Sequence, residues 1–242
     1  LIRQANFVAC HNPSYVDKYN MVQELVDGGT FLLNCSWDME GLEEHLPGQV
    51  KSYIANHNIK FYTIDGIKIG KEIGLGGRIN TVLQSAFFKL AAIIPEEEAI
   101  DLMKAAAKAT YGRKGDKIVQ MNYDAIDAGA KQVVEIAVPE SGKDAADEGL
   151  TTPHVGEGGR ADVVDFVKNI QAKVNAQEGN TLPVSAFNEY VDGSTPSGSS
   201  AYEKRGIAVD IPIWQPDNCI QCNRCAYVCP HAVIRPVALT EE

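Results

Sequence analysis

Four cysteines fall within eleven residues of one another: Cys219, Cys222, Cys225 and Cys229, the last followed at once by Pro230. The spacing is C-x-x-C-x-x-C-x-x-x-C-P. So short a stretch cannot bury four thiols in an apolar core, but it can wrap them around a metal centre. Steps of three residues let three thiolates take one corner of a cubane 4Fe–4S cluster, while the fourth points away and the proline turns the chain. In proteins with two such clusters that fourth thiolate serves the other cluster, the part that falls here to Cys229. A zinc site or a disulfide pair are the alternatives. Zinc sites usually split their thiols into two separated knuckles, and no second knuckle follows before Glu242. The candidate metal ligands are therefore Cys219, Cys222, Cys225 and Cys229.

The remaining 230 or so residues must fold by ordinary means. Of the 242 residues, 45% are hydrophobic and 22% charged, the balance of one large domain with a small appendage. A net charge of −10 argues against a nucleic-acid surface, which wants a basic stripe. No apolar run approaches the ~20 residues that span a bilayer, and no signal-peptide pattern is present. Two further cysteines, Cys10 and Cys35, sit in apolar settings (Phe7-Val8-Ala9-Cys10 and Phe31-Leu32-Leu33-Asn34-Cys35), which suits buried structural thiols in a reducing, cytoplasmic context. Position 1 is leucine, and one cluster motif stands where a pair would be expected. The reading is of a piece of a longer polypeptide.

Along the chain, residues 7–10 read as a strand ending in the turn His11-Asn12-Pro13. A helix is expected over 14–26, with Tyr15, Tyr19, Val22 and Val26 at helical spacing and Asp27-Gly28-Gly29 as its stop. Residues 30–35 are apolar without a polar break, as in a strand buried on both faces. A helix over 47–56 and a strand over 60–64 follow. Alternation of strand and helix at this spacing predicts an α/β fold: a parallel sheet with flanking helices and right-handed crossovers. From Asp65 to about Ile136 no convincing strand is legible. Helices are expected over 80–92, 96–110 and 124–136, the second opened by Pro95 and the acids Glu96, Glu97 and Glu98 against the helix dipole. Residues 139–159 read as a linker or a mobile loop, 163–177 as a last helix, and 179–214 as turn-rich chain without a core of its own, lying extended along the domain before it or a neighbouring one.

Gly70-Lys71-Glu72-Ile73-Gly74-Leu75-Gly76-Gly77-Arg78 is glycine-rich, but it neither follows a strand nor holds the G-x-G-x-x-G or G-x-x-x-x-G-K-[ST] frame. A tight helix–helix connection explains it better than a phosphate loop. The five histidines are scattered, with no i, i+4 pair. Taken alone, Tyr202-Glu203-Lys204-Arg205-Gly206 is a solvated, charged turn.

Read together, these segments carry a resemblance. Tyr202-Glu203-Lys204-Arg205-Gly206-Ile207-Ala208 upstream of the cysteine run resembles the Glu-Lys-Arg linker of the pyruvate:ferredoxin (flavodoxin) oxidoreductase family. Asn6–Pro13, Asp27–Phe31 and Gly74–Asn80 are similar to its γ-type domain. The resemblance implies a Rossmann-like γ-type catalytic domain over 1–178 whose N-terminal part is missing, a Glu-Lys-Arg linker domain over 179–214 and the truncated start of a 4Fe–4S ferredoxin-like domain over 215–242. It implies an enzyme of anaerobes that oxidatively decarboxylates pyruvate to acetyl-CoA and CO2 with thiamine diphosphate and Mg, both bound by other domains, and with coenzyme A as co-substrate. Electrons pass through 4Fe–4S clusters to ferredoxin or flavodoxin. The parent would be a cytoplasmic homodimer with no membrane or nucleic-acid partner, and this segment would not be active by itself. A non-catalytic ferredoxin-like electron-transfer module fused to an α/β docking domain is the other reading. Each cubane needs four thiolates, so in the family's sharing pattern Cys219, Cys222 and Cys225 serve one cluster and Cys229 another, neither complete within these residues.

Overall fold

The computed structural model describes residues 2, 4–146, 159–176, 178–202 and 212–237. The chain forms two compact units, Leu1–Gly206 and Ile207–Glu242.

In the first unit a four-stranded sheet runs in the order β1-β2-β3-β4: β1 (Ala5–Cys10), β2 (Leu25–Asn34), β3 (Lys60–Ile64) and β4 (Val134–Ile136). The first three strands are parallel and β4 is antiparallel to β3. The expected parallel arrangement of β1, β2 and β3 is therefore present. Phe31, Leu32 and Leu33 alternate between the sheet's two faces, and all three are almost fully buried. One face meets α1 (Met39–His45) and α2 (Gly48–Asn56); the other meets α3 (Gly66–Ile73), α4 (Asn80–Ala91) and α6 (Asp116–Lys131). Helix α5 (Glu96–Tyr111) packs on α6 through Met103, Ala107 and Ile126. Burial on both faces is why the central strand reads as unbroken apolar sequence.

Several expectations need correction. The helix over 14–26 is absent. In its place stands one 3-10 turn, Pro13–Tyr15, capped by the Asn12 side chain, which accepts from Ser14 N at 3.1 Å. Val16 and Val22 are buried as anchors of a turn-rich crossover. Strand β2 starts earlier than position 30, at Leu25. Asp27-Gly28-Gly29 is a bulge within it, where pairing jumps from Ala5↔Leu25 to Phe7↔Thr30. Gly28 takes φ +71 there and donates to His57 O at 2.8 Å, a conformation glycine adopts without a steric penalty. The helix over 124–136 lies instead at 116–131, because the free edge of β3 captures Val134–Ile136 as β4. Helix α3 was not legible because Asp65-Gly66 reads as a strand stop. Asp65 is also the N-cap of α3, accepting from Lys68 N at 2.9 Å.

Residues 139–159 are not wholly a linker. The turn Glu140–Asp144 is docked on α2, where Ser52 Oγ and Asn56 Nδ2 each donate to Lys143 O at 3.2 Å; residues 147–158 lie outside the described residues. The last helix runs over 161–175 with a π turn at Val167–Gln171 in its middle. As far as Tyr202 the chain after it is not an extended, coreless strap; residues 203–211 lie outside the described residues. Leu182, Tyr190 and Tyr202 pack against Val163, Phe166, Val167 and Ile170, with Phe166 and Tyr190 edge to face at 5.0 Å.

Asn34 ties the carboxyl ends of the parallel strands together. Only 4% exposed, it donates from Nδ2 to His11 O at 2.8 Å and accepts at Oδ1 from Gly66 N at 2.9 Å. Asn34→Ala strips partners from both backbone groups. The expected loss is about 2 kcal/mol, read as a lower urea midpoint with unchanged slope. A midpoint equal to the parent's would show that water replaces the amide.

Candidate metal centre

The four clustered cysteines lie in the second unit. The turn Pro216–Asn218 leads into Cys219, and Gln221 and Asn223 both adopt φ +57. Left-handed residues at alternate positions curl the chain between Cys219 and Cys225. Asn223 precedes a short helix, α7 (Arg224–Val228), which carries Cys225 in its first turn and delivers Cys229 just past its end. Cys219, Cys222 and Cys225 are exposed and Cys229 is half-buried. Val233 N donates to Cys229 Sγ at 3.3 Å. The backbone N–H groups of Ile234, Val233 and His231 hold this thiol below the ordinary thiol range, because amide donors favour the charged form.

Among the described residues, no three metal-ligating side chains converge on one point. The chemistry of the donor set still fits an iron–sulfur cluster: four soft sulfur ligands on a tightly curled loop, one already accepting from backbone amides. The amides of His231–Ile234 were not found by reading residue types, since a backbone N–H leaves no mark in the sequence.

Cys10 and Cys35 are buried and free, as expected. Burial pushes the Cys10 thiol up to about 12 and raises that of Cys35. Between the ordinary 9 and about 12 the unfolded chain binds fewer protons than the folded one, so Cys10 makes stability fall as pH rises through that window. Metal-free native protein is expected to show four fast thiols and two that react only on unfolding, counted with an aromatic disulfide reagent. Six fast thiols would refute this placement.

The glycine-rich stretch from Gly70 to Arg78 is the last turn of α3, Gly70–Ile73, and the connection that leads on to α4. Gly74 ends α3 with φ +92, Gly76 takes φ +62, and Leu75 N and Gly76 N return to Gly70 O at 2.8 and 3.1 Å. Of the histidines, His57 pairs with Asp27 at 2.7 Å and His45 packs on Trp37 with ring centroids 4.9 Å apart. His154 and the Glu203-Lys204-Arg205 block lie outside the described residues.

A largely parallel α/β sheet followed along the chain by a loop of four thiols fits an iron–sulfur protein. Family comparison narrows the class. The model for pyruvate ferredoxin/flavodoxin oxidoreductase matches residues 1–132, one for a domain of unknown function named EKR matches 157–208, and one for a 4Fe-4S binding domain matches 211–234. The chain belongs to the pyruvate ferredoxin/flavodoxin oxidoreductase family. It is 48% identical over its whole length to pyruvate-flavodoxin oxidoreductase of Enterobacter agglomerans, covering 20% of that protein. Over 98% of its length it is 49% identical to pyruvate:ferredoxin oxidoreductase of Moorella thermoacetica, covering 19% of it. It is also 42% identical to pyruvate dehydrogenase [NADP(+)] of Cryptosporidium parvum, of which it covers 13%. The chain thus spans about a fifth, or less, of the length of these relatives. A solved structure, a pyruvate oxidoreductase subunit of Thermotoga maritima, matches 55% of this chain and 65% of that one with a TM-score of 0.44 at 17% identity, a level from which nothing follows. No described helix is long and apolar enough to cross a membrane.

Proposed function

We propose that this chain is a segment of an enzyme that oxidatively decarboxylates pyruvate to acetyl-CoA and CO2 and passes the electrons through 4Fe–4S clusters to ferredoxin or flavodoxin. One observation carries the reading: three family matches occur in order along a chain nearly half identical to two relatives so named. In this reading Cys219, Cys222 and Cys225 hold one cluster and Cys229 another. The Sγ-directed amides after Pro230 favour the thiolate that ligation requires. When bound, the clusters supply the one-electron steps that protein side chains cannot. The residues of this chain hold the thiolates and curl the loop.

Thiamine diphosphate and Mg belong to other domains of the parent, a cytoplasmic homodimer, and coenzyme A is its co-substrate; what supports these points is the resemblance alone. Exposed Ile220, Tyr227 and Val233 give the loop apolar surface for the rest of a ferredoxin-like domain to cover. The three-part division of the chain is kept with both boundaries earlier; the two compact units favour the second at Gly206/Ile207 rather than after Trp214. The packing of Leu182, Tyr190 and Tyr202 on helix 161–175 and the match to 157–208 favour a first boundary before Ala161 rather than after residue 178.

The test places this chain in exchange for the matching fifth of the Moorella thermoacetica relative, purified without oxygen. Reduction of ferredoxin or flavodoxin that requires both pyruvate and coenzyme A is the expected result. A well-folded, cluster-loaded hybrid that reduces neither acceptor would overturn the reading.

A further inference from the structure

We infer that Arg235 is a positioning residue for Cys229: through the peptide that joins Ala232 to Val233 it aims and strengthens a hydrogen bond to the cysteine sulfur, and so raises the reduction potential of the cluster that Cys229 serves. The inference rests on the proposed role of Cys229 as a cluster ligand. One peptide unit meets both partners. Its N–H end, Val233 N, donates to Cys229 Sγ at 3.3 Å. Its C=O end, Ala232 O, accepts from Arg235 Nε at 2.8 Å. The two bonds act on the same dipole from opposite ends. A cationic donor on the carbonyl polarises the amide, and a polarised amide donates more strongly. The alignment depends on a turn at Ala232, whose N–H donates to Cys229 O at 3.2 Å. Ala232 takes φ +50, a left-handed conformation that a residue with a Cβ adopts only at a cost. The bond from Arg235 to its carbonyl holds that conformation in place.

Packing does not account for this device. Arg235 and Ala232 are both exposed, and contacts of that kind contribute little to stability. Among the described residues the guanidinium pairs with no carboxylate, so its whole charge bears on Ala232 O. Hydrogen bonds to the sulfurs are one of the levers that set an iron–sulfur potential, and residues behind the ligands tune a metal centre by orienting them. Reduction adds an electron that the sulfurs share. An N–H aimed at a ligand sulfur is therefore stronger in the reduced state and favours it. The amides of Val233 and its neighbours favour the charged sulfur, the sign this tuning needs. Among the described residues no hydrogen bond reaches the sulfurs of Cys219, Cys222 or Cys225, so the effect is directed at the cluster of Cys229.

Redox titration of the full-length, cluster-loaded parent, followed by paramagnetic resonance, tests this. Arg235→Gln puts an amide nitrogen where Nε stands and removes the charge; Arg235→Met removes the donor as well. In Arg235→Met the ratio of reduced to oxidised cluster at the parent's midpoint should fall about tenfold, the size of one hydrogen bond to a charged group. For a one-electron couple that is a midpoint lower by about 59 mV. A neutral donor is roughly half as strong, so in Arg235→Gln the ratio should fall only about threefold. Both shifts should belong to the signal that Cys229→Ser removes, with iron and sulfide content as in the parent. Unmoved midpoints, with Cys229→Ser still removing a signal, would overturn the inference and leave the ligand role standing. Equal shifts in the two Arg235 variants would overturn it too, because bare charge acting through space would then suffice. So would loss of iron at an unchanged midpoint, the mark of a structural role alone. A Cys229→Ser protein that keeps every signal would overturn the ligand role itself, and the inference with it.

Discussion

In the cluster-complete protein, Cys222→Ser and Cys229→Ser remove two different paramagnetic signals of the reduced enzyme. The two residues stand seven apart on one curled loop, yet the short helix α7 separates them and carries Cys229 to its far end. Each cubane takes four thiolates, and the C-x-x-C-x-x-C-x-x-x-C-P run sends its fourth thiolate to the neighbouring cluster. The amides that favour ionised Cys229 belong to residues beyond Pro230, not to the turns that carry Cys219 and Cys222. Serine keeps the shape and removes the soft donor, so each variant should lose or shift one signal and leave the other. Iron and sulfide content should fall by the share of one cluster in each case. Loss of the same signal in both variants would place all four cysteines in one site and refute the sharing. The readout does not depend on turnover, so a folded but inactive protein still answers the question.

Gly129→Ala lowers the stability of the first unit by about 2–3 kcal/mol, although alanine is the better helix former by about 1 kcal/mol. A Cβ built on Gly129 of α6 would stand 2.3 Å from Val82 O and 3.0 Å from Ser85 Cβ on α4. The nearer atom is backbone, so it cannot swing aside. Two hydrogen bonds hold the same close approach: Ser85 Oγ donates to Ile126 O at 2.6 Å, and Lys89 Nζ to Ala130 O at 2.7 Å. Making room separates α4 from α6 and stretches both. For a domain of this size the loss amounts to a melting point lower by roughly 5–10 °C. Gly112→Ala is the control. A Cβ there meets nothing within 4 Å, so its effect should stay within about 0.5 kcal/mol. Equal effects at the two positions would mean that glycine's backbone freedom, not helix contact, sets the cost.

The sequence by itself determined whatever depends on neighbours along the chain. Cysteine spacing marks the ligand loop because chelation by a short loop is a local geometric demand. The unbroken apolar run Phe31-Leu32-Leu33 marks a strand covered on both faces, and the 60–64 strand is bounded as expected because Asp65 and Gly66 end it sharply. The acids behind Pro95 mark the start of α5 because the helix dipole acts within one turn. Even the glycine-rich stretch from Gly70 to Arg78 shows in its sequence what it is not, since it lacks a preceding strand.

Tertiary structure decided wherever two local solutions were close in energy. Val133-Val134-Glu135-Ile136 continues the helical periodicity of α6, but the free backbone of β3 offers ladder bonds that the helix end cannot match, and the segment leaves the helix. Tyr15, Tyr19 and Val22 keep helical spacing, yet Val16 and Val22 are buried by a turn-rich crossover that begins β2 early. Leu182, Tyr190 and Tyr202 lie too far apart to suggest a core until the face Val163–Phe166–Ile170 brings them together. The amides around Cys229 have no signature in residue type. They arise from where backbone lies, and only the packed chain sets that.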